Sequence, residues 1–198
     1  MKLASATVHE AAGRSQVVDL DLLQVVPGSR ASGPARTVCC GQDDNLMVHA
    51  AVAEAEPGEV LVLTMPEPRP VALVGELIAT QMLGREIAAV LVDAAVRDVQ
   101  ELRELGLPVW ARWVRVRGAD KRTPGTIGEP VVVGGATIRQ GDLVVLDADG
   151  VVVVERERVD EVLAAAQERE ERETEKRAKL QAGELSYDLD GLRQLVEK

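Results

Sequence analysis

Apolar residues fall along this chain in two rhythms. The runs "EVLVLT" (59–64), "IAAVLVD" (87–93) and "PVWARWV" (108–114) are continuously apolar, as in strands buried on both faces. Between them the apolar positions recur at helical spacing. "DDNLMVHAAVAEAEPG" opens on acidic caps and stops at Pro-Gly. A second helix runs from about Gly75 through Leu83. "DVQELRELG" makes a short third helix, closed by Gly106. Strand alternating with helix predicts a mostly parallel sheet. Ahead of this region, "SATVHEAAG" (5–13) reads as a short helix starting at Ser5. "PGSRASGPARTVCC" carries turn signals and then a strand near residues 37–40. "MPEPRP" reads as a rigid, proline-rich loop.

The pattern changes after residue 128. "EPVVVGGATIRQGDLVVLDADGVVVVERE" holds three strand-like runs broken by Gly-Gly and Ala-Asp-Gly, the signature of hairpins. No linker sets this block apart, so it is expected to pack on the first sheet, giving one domain over residues 1–155. The rest, 156–198, reads as a helical tail. Val159, Val162, Leu163 and Ala166 give it an apolar stripe. "QEREERETEKRAK" is then charged nearly all round, and Gly183 ends it. In "YDLDGLRQLVEK", the residues Leu189, Leu192, Leu195 and Val196 need a partner surface. The tail is therefore expected to pack on a neighbouring subunit of a homo-oligomer.

Composition narrows the picture. In 198 residues, 46% are apolar but only 2% aromatic, so the core must be Val, Leu, Ile and Ala. A net charge of −10 argues against nucleic-acid or anionic-membrane binding, which needs clustered Lys and Arg. It leaves room for a local basic pocket that takes a small acid. The adjacent Cys39 and Cys40, with no C-x-x-C, are expected to be reduced and strand-buried. No apolar stretch approaches the ~18 residues of a membrane span. The N-terminal segment lacks the apolar region of a signal peptide, so the chain is expected in the cytoplasm.

Open α/β sheets bind ligands beyond the carboxyl ends of their strands. Two such ends stand out: "VDAAVRD" (92–98) and the loop leading into "VGELIAT". Gly75 precedes a helix start, so the N–H groups of Glu76, Leu77 and Ile78 are free to hold an anion. Arg97 could clamp the same carboxylate, and Asp98 is a hard oxygen ligand for Mg²⁺ or Mn²⁺. Glu76 could hold or deprotonate a metal-bound water. Each residue also has a plainer reading. Asp98 fits as the N-cap of helix 99–105. Gly75 could ease helix–sheet packing, and Arg97 could pair with Asp93 or Glu101. His9 and His49 read as packing histidines. Trp110 and Trp113 read as core or interface residues facing different ways, and Asp147 and Asp149 as turn residues.

Taken together, "ATVHEAAGR", "GQDDNLMVHAAV", "GELIAT", "VDAAVRDVQELRELGLPVWAR", "KRTPGTIGEPVVVGGATIRQGDLVVLDADGVVVV" and "KRAKLQAGEL" resemble one group. It is the 4-hydroxy-4-methyl-2-oxoglutarate / 4-carboxy-4-hydroxy-2-oxoadipate aldolases of the RraA-like family. Their signature is an acidic residue, twenty intervening residues and Arg-Asp. Here Glu76 and Arg97-Asp98 have that spacing. The resemblance implies an α/β/β sandwich with a C-terminal helical extension, assembled as trimers or hexamers. It implies a divalent-metal-dependent class II aldolase that releases pyruvate and also decarboxylates oxaloacetate. Asp98 would bind the metal and Arg97 the pyruvyl oxygens. The backbone at Gly75, Leu77 and Ile78 would hold the carboxylate, and Glu76 would position a water as acid or base. Lys121 would meet the distal carboxylate, with Asn45 a further polar residue of the site. Glu173 would reach the metal's water shell from a neighbouring subunit. The same scaffold serves regulators that bind ribonuclease E, so a non-catalytic role is a competing implication. A lyase for another 2-oxo acid is the third. This chain departs from the family at "TMPEPRP" (64–70), where a glycine-rich run is usual, and at Ala94, Ala95 and Glu86.

Overall fold

The computed structural model describes residues 3–197. The extreme ends of the expected domain and tail, residues 1–2 and 198, lie outside the described residues. In chain order the elements are α1 (Ser5–Ala11), β1 (Leu23–Gln24), β2 (Ala31–Cys39), α2 (Leu46–Glu54), β3 (Val60–Thr64), β4 (Ala72–Val74) and α3 (Glu76–Gly84). Then come β5 (Ala89–Val96), α4 (Val99–Leu105), β6 (Val109–Val114), β7 (Thr126–Ile127), β8 (Val131–Val133), β9 (Ala136–Ile138), β10 (Leu143–Leu146) and β11 (Val151–Val154). The tail holds α5 (Val159–Gln181), α6 (Ser186–Leu189) and α7 (Arg193–Val196).

The apolar runs pair as expected: β2, β3, β5 and β6 are parallel neighbours. Every residue of β3 and β5 is buried, which explains why neither run alternates with polar residues. Antiparallel β1 covers the edge at β6, and β10 with β11 extends the sheet beyond β2. One face carries α2, α3 and α4 over Leu61, Leu63, Val90 and Val92. On the other face, Val60, Val62, Leu91 and Trp110 meet the β8–β9 hairpin through Val133, Ala136 and Ile138. Helices, sheet and hairpin make the three layers of an α/β/β sandwich. A third cluster joins α1 and the start of α5 to β10 and β11, with Val8, Val162 and Ala166 at its centre.

The structure corrects the sequence reading in several places. The strand expected near residues 37–40 starts at Ala31, straight through Gly33-Pro34. These residues read as turn signals, yet β2 changes neighbours here. Residues up to Pro34 pair with β10, and from Ala35 onward they pair with β3. A proline is tolerated at such a changeover. Gly33 is needed because the Gly58 carbonyl oxygen lies 2.1 Å from where its Cβ would be. The block after residue 128 contains four strands rather than three, and only β8–β9 packs on the sheet while β10–β11 continue it. The run expected to end at Asp93 continues to Val96. Asp93 is buried inside β5 because Arg112 on β6 donates to it at 3.0 Å. The short strands β1, β4 and β7 carry no periodicity and were not anticipated.

Beyond Val92, β5 loses β3 as a neighbour and pairs with β4 instead. Ala94 and Ala95 are fully buried at this handover. Trp110 is buried and its indole N–H donates to the Asp147 carbonyl at 2.9 Å. Trp113 is half-buried beneath the Arg112 guanidinium, 4.5 Å from the ring centre. Cys39 lies on β2 and Cys40 follows it; both are free thiols.

Candidate active site

Four segments converge where β5 ends. Their residues line a cavity of about 300 Å³. Asn45 comes from the start of α2, and Gly75, Leu77 and Ile78 from the start of α3. Arg97 and Asp98 follow β5, and Lys121 lies in the loop after β6. Seven residues singled out in the sequence thus share one cavity. A larger cavity, about 530 Å³, lies between α1, β10 and α5. Its lining, including Leu3, Val8, Val145 and Leu163, holds no charged group, so chemistry points to the smaller one.

Asp98 sits in the left-handed backbone region, φ 57° and ψ 45°. Aspartate tolerates this region better than most residues, and strain of this kind clusters at functional sites. It occupies the N-cap position of α4, but its side chain makes no cap there. Its Oδ2 instead accepts the N–H of Glu76, 3.1 Å away, at the start of α3. One residue therefore begins one helix and caps another. Arg97 Nε lies 3.5 Å from the same oxygen. Among the described residues Arg97 forms no ion pair with Asp93 or Glu101; Asp93 belongs to Arg112. Two glycines leave room for this pair. A Cβ on Gly75 would stand 2.5 Å from Asp98 Oδ2, and one on Gly118 would stand 2.7 Å from Arg97 Nη1.

The α3 N-terminus has no side-chain cap of its own at Gly75. Glu76 gives its N–H to Asp98. The N–H groups of Leu77 and Ile78 have no acceptor among the described residues and remain available for an anion. The Glu76 carboxylate turns toward Thr80, whose hydroxyl donates to it at 3.2 Å.

Asp44 was read only as one of several acidic caps, yet it organises the other wall. Its Oδ1 accepts the Leu46 N–H at 2.8 Å. Its Oδ2 accepts the N–H groups of Arg122 and Thr123 at 2.6 and 2.9 Å, which pins the loop carrying Lys121 to α2. Burial pushes the Asp44 carboxyl upward, but these three N–H bonds and the Lys121 charge outweigh it and hold it below the ordinary value. The helix-start signal marks Asp44 as a cap, but its hold on Arg122 and Thr123, and the room Gly118 leaves for Arg97, join segments far apart in the chain and arise only once the fold is closed. His49, read as a packing histidine, lies on the cavity wall.

Glu173 is not brought to this cavity within the chain. It lies on α5, 2.8 Å from Arg169 Nε, beside a separate cavity lined by Thr7, Arg30 and Arg177. As a test of fit for a cation, the chain offers one partly exposed carboxylate, Asp98, at a strand end. That suits a hard, largely hydrated ion such as Mg²⁺ or Mn²⁺. Among the described residues no group of three His, Cys, Asp or Glu stands close enough to form an all-protein cage.

The layers and this strand-end site define an α/β/β protein with an anion-binding helix start beside an Arg-Asp pair. The chain belongs to the RraA-like family, described as Aldolase/RraA, whose model matches residues 5–153. A relative from Halalkalibacterium halodurans, provisionally named 4-hydroxy-4-methyl-2-oxoglutarate aldolase, is 36% identical over 138 residues. That match spans 70% of this chain and 66% of the relative, just under two thirds of its length. An uncharacterized protein from Pseudomonas syringae shares the fold with a TM-score of 0.83 and 24% identity, covering 92% of this chain and 90% of its own. Streptomyces coelicolor RraAS2, described as an unusual member of the RNase ES inhibitor RraA family, gives a TM-score of 0.78 and 28% identity, covering 88% and 91%. Among the described residues, no helix is long and apolar enough to cross a membrane.

Proposed function

We propose that this chain is a divalent-metal-dependent lyase. It splits a 4-hydroxy-2-oxo di- or tricarboxylic acid into pyruvate and a second 2-oxo acid, and decarboxylates oxaloacetate at the same site. The observation that carries this reading is the meeting of Arg97, Asp98 and the open α3 N-terminus in one cavity. Asp98 would hold Mg²⁺ or Mn²⁺, with Glu173 of a neighbouring subunit reaching its water shell. When bound, the cation supplies electrophilic pull on the oxo acid. The N–H groups at Leu77 and Ile78 hold the substrate's first carboxylate. Arg97 faces the 2-oxo oxygen, where negative charge develops as the carbon–carbon bond breaks, and so favours the transition state over the ground state. Lys121 takes the distal carboxylate. Glu76 positions a water that takes the proton of the 4-hydroxyl as the carbon–carbon bond breaks, or gives a proton to the enolate carbon afterwards. Both reactions develop charge on the same oxygen, so one arrangement serves both.

We place the enzyme in the cytoplasm as a trimer or hexamer. Residues 1–155 form its domain together with the start of α5, whose Val162 and Ala166 pack on α1, β10 and β11, and the rest of the tail 156–198 packs on a neighbour. Leu185, Leu192, Leu195 and Val196 are exposed on the single chain and support that packing. Pyruvate release from oxaloacetate, with Mg²⁺ or Mn²⁺ and then with EDTA, is the test. Metal-dependent turnover is expected; no turnover with either ion overturns the reading.

Similarity to RraAS2 favours a second reading, a regulator that binds ribonuclease E. Capture of ribonuclease E by this chain, without pyruvate release, would replace the first. The unusual loop at residues 64–70 supports a variant of the first reading, a lyase for another 2-oxo acid. A panel of 4-hydroxy-2-oxo diacids separates the two.

A further inference from the structure

The tip of the tail is held together by its own contacts. α5 ends in a glycine turn: Gly183 takes φ 95°, its N–H donates to the Leu180 carbonyl at 3.0 Å, and the Glu184 N–H donates to the Lys179 carbonyl at 3.1 Å. The chain then doubles back, so that Lys176 Nζ donates to both Asp190 oxygens at 2.7 and 2.6 Å. Arg193 on α7 donates to Asp188 at 2.6 Å and to Glu197 at 2.8 Å, and its guanidinium stands 4.8 Å from the Tyr187 ring centre. The charges of α6 and α7 are thus largely engaged within the tip. What they leave outward is apolar. Leu192, Leu195 and Val196 recur at i, i+3 and i+4 spacing on one face, and Leu195 and Val196 are 74% and 72% exposed. Leu180 and Leu185 flank the glycine turn and are exposed as well. These five, of twelve large hydrophobic residues exposed among the described residues, fall within seventeen consecutive positions; the other seven are scattered. Scattered apolar residues are ordinary, whereas a gathered group marks an interaction surface.

We propose that this tip docks on the same tip of a second copy, across a two-fold axis. The proposal rests on the packing of the tail on a neighbour and names the surface it meets there, the neighbour's own tail. Charge selects this occupant. Residues 176–197 hold four basic and four acidic residues, so the tip is neutral and the net charge of −10 arises entirely outside it. Two copies approaching by their acidic bodies repel each other, while tip against tip brings no net charge together. The leucines need an equally apolar face, and a two-fold contact supplies the same one from both sides. The five residues expose on the order of 500 Å² per copy, so a pair covers roughly 1,000 Å², about the size a specific interface needs. Such a contact joins chains in even numbers. It gives dimers on its own, and hexamers where trimers also form through the domain.

The test is sedimentation velocity of the full chain at micromolar concentration, with Leu195→Asp and Leu195→Arg made separately. Both substitutions fall at an exposed position, and circular dichroism checks that helix content is kept. The parent should sediment as an even-numbered assembly. Each variant should sediment at half that mass, because like charges now face each other across the axis. An equimolar mixture of the two variants should regain the parent mass, because opposite charges then meet. That rescue is peculiar to a contact of the tip with itself. A parent that is a single chain or an odd-numbered assembly overturns the proposal, and so do variants that keep the parent mass. Loss of mass without rescue also overturns it, and is the result expected if the tip docks on another face of the neighbour or on a different protein. Oxaloacetate turnover keeps the two readings apart. A parent that pairs in this way but releases no pyruvate overturns the lyase reading and leaves the contact standing. Pyruvate release from a parent whose mass neither variant changes does the reverse.

Discussion

The two cavities of this molecule differ in a way that volume alone conceals. The larger, between α1, β10 and α5, is walled mainly by apolar side chains, with Ser32 and Gln167 its polar lining and no charged group. The smaller, beyond β5, collects a left-handed aspartate, a half-exposed guanidinium, an open helix start and two unpartnered polar atoms. A fold can tolerate a gap in its packing at modest cost. Concentrating unsatisfied polar groups and backbone strain in one place is much more costly, so their coincidence is the better guide to chemistry.

The sharpest way to break this contrast is to remove Asp98. Asp98→Ala should lower pyruvate release from oxaloacetate by on the order of 10²–10³-fold, the usual loss when a group facing developing charge is deleted. Filling the larger cavity with Ala164→Leu should alter the rate less than threefold. If both variants behave alike in the coupled pyruvate assay, the contrast is empty. Next in size is Gly118→Ala, whose new methyl must displace the Arg97 guanidinium from 2.7 Å. A misplacement of this order costs up to about 10²-fold, and it should appear chiefly as a raised KM for the oxo acid.

On the α1 side, stability rather than rate should respond. Ser5 donates its hydroxyl and its N–H to the buried Asp147 carboxylate at 2.6 and 2.8 Å. Burial pushes that carboxyl upward, and the Ser5 and Asp149 bonds outweigh it, leaving it below the ordinary value. Ser5→Ala should cost about 1–3 kcal/mol in urea unfolding, with kcat little changed.

A smaller effect concerns pH. Asp44 has its folded value depressed, so the stability it contributes is present above the ordinary aspartate value of 3.8 and is lost as pH falls through that value and below. Melting temperature should drop between about pH 5 and 3, and Asp44→Asn should flatten that drop while lowering stability at pH 7. Smallest of all, Cys40 should label more slowly than Cys39 with a thiol reagent at pH 8, since burial first and Cys39 second push its thiol up to about 12.

Much of this architecture was legible in the sequence. Long buried strands announce themselves because both faces need apolar residues, and the α/β/β layering followed from the resemblance. The missed elements β1, β4 and β7 are two or three residues long and owe their extended form to the strands beside them, not to their own composition. Within the site, Arg97, Asp98 and the α3 start lie within about one strand and helix of each other and could be read together. That Asp98 caps α3 rather than α4 could not be read, because local spacing favours the helix it precedes. That His49 lines the cavity could not be read for a related reason. An apolar helix face looks the same whether it meets a core or the wall of a cavity.

The handover within β5 carries a wider consequence. The end that bears Arg97 and Asp98 is clamped by β4 and β6, and the Arg97 N–H itself bonds the Val74 carbonyl at 3.0 Å. The segment joining β3 to β4 is moored separately, through Gln42 to the backbone of Glu67. Substitutions at residues 65–70 can thus leave the Arg97–Asp98 pair where the sheet puts it.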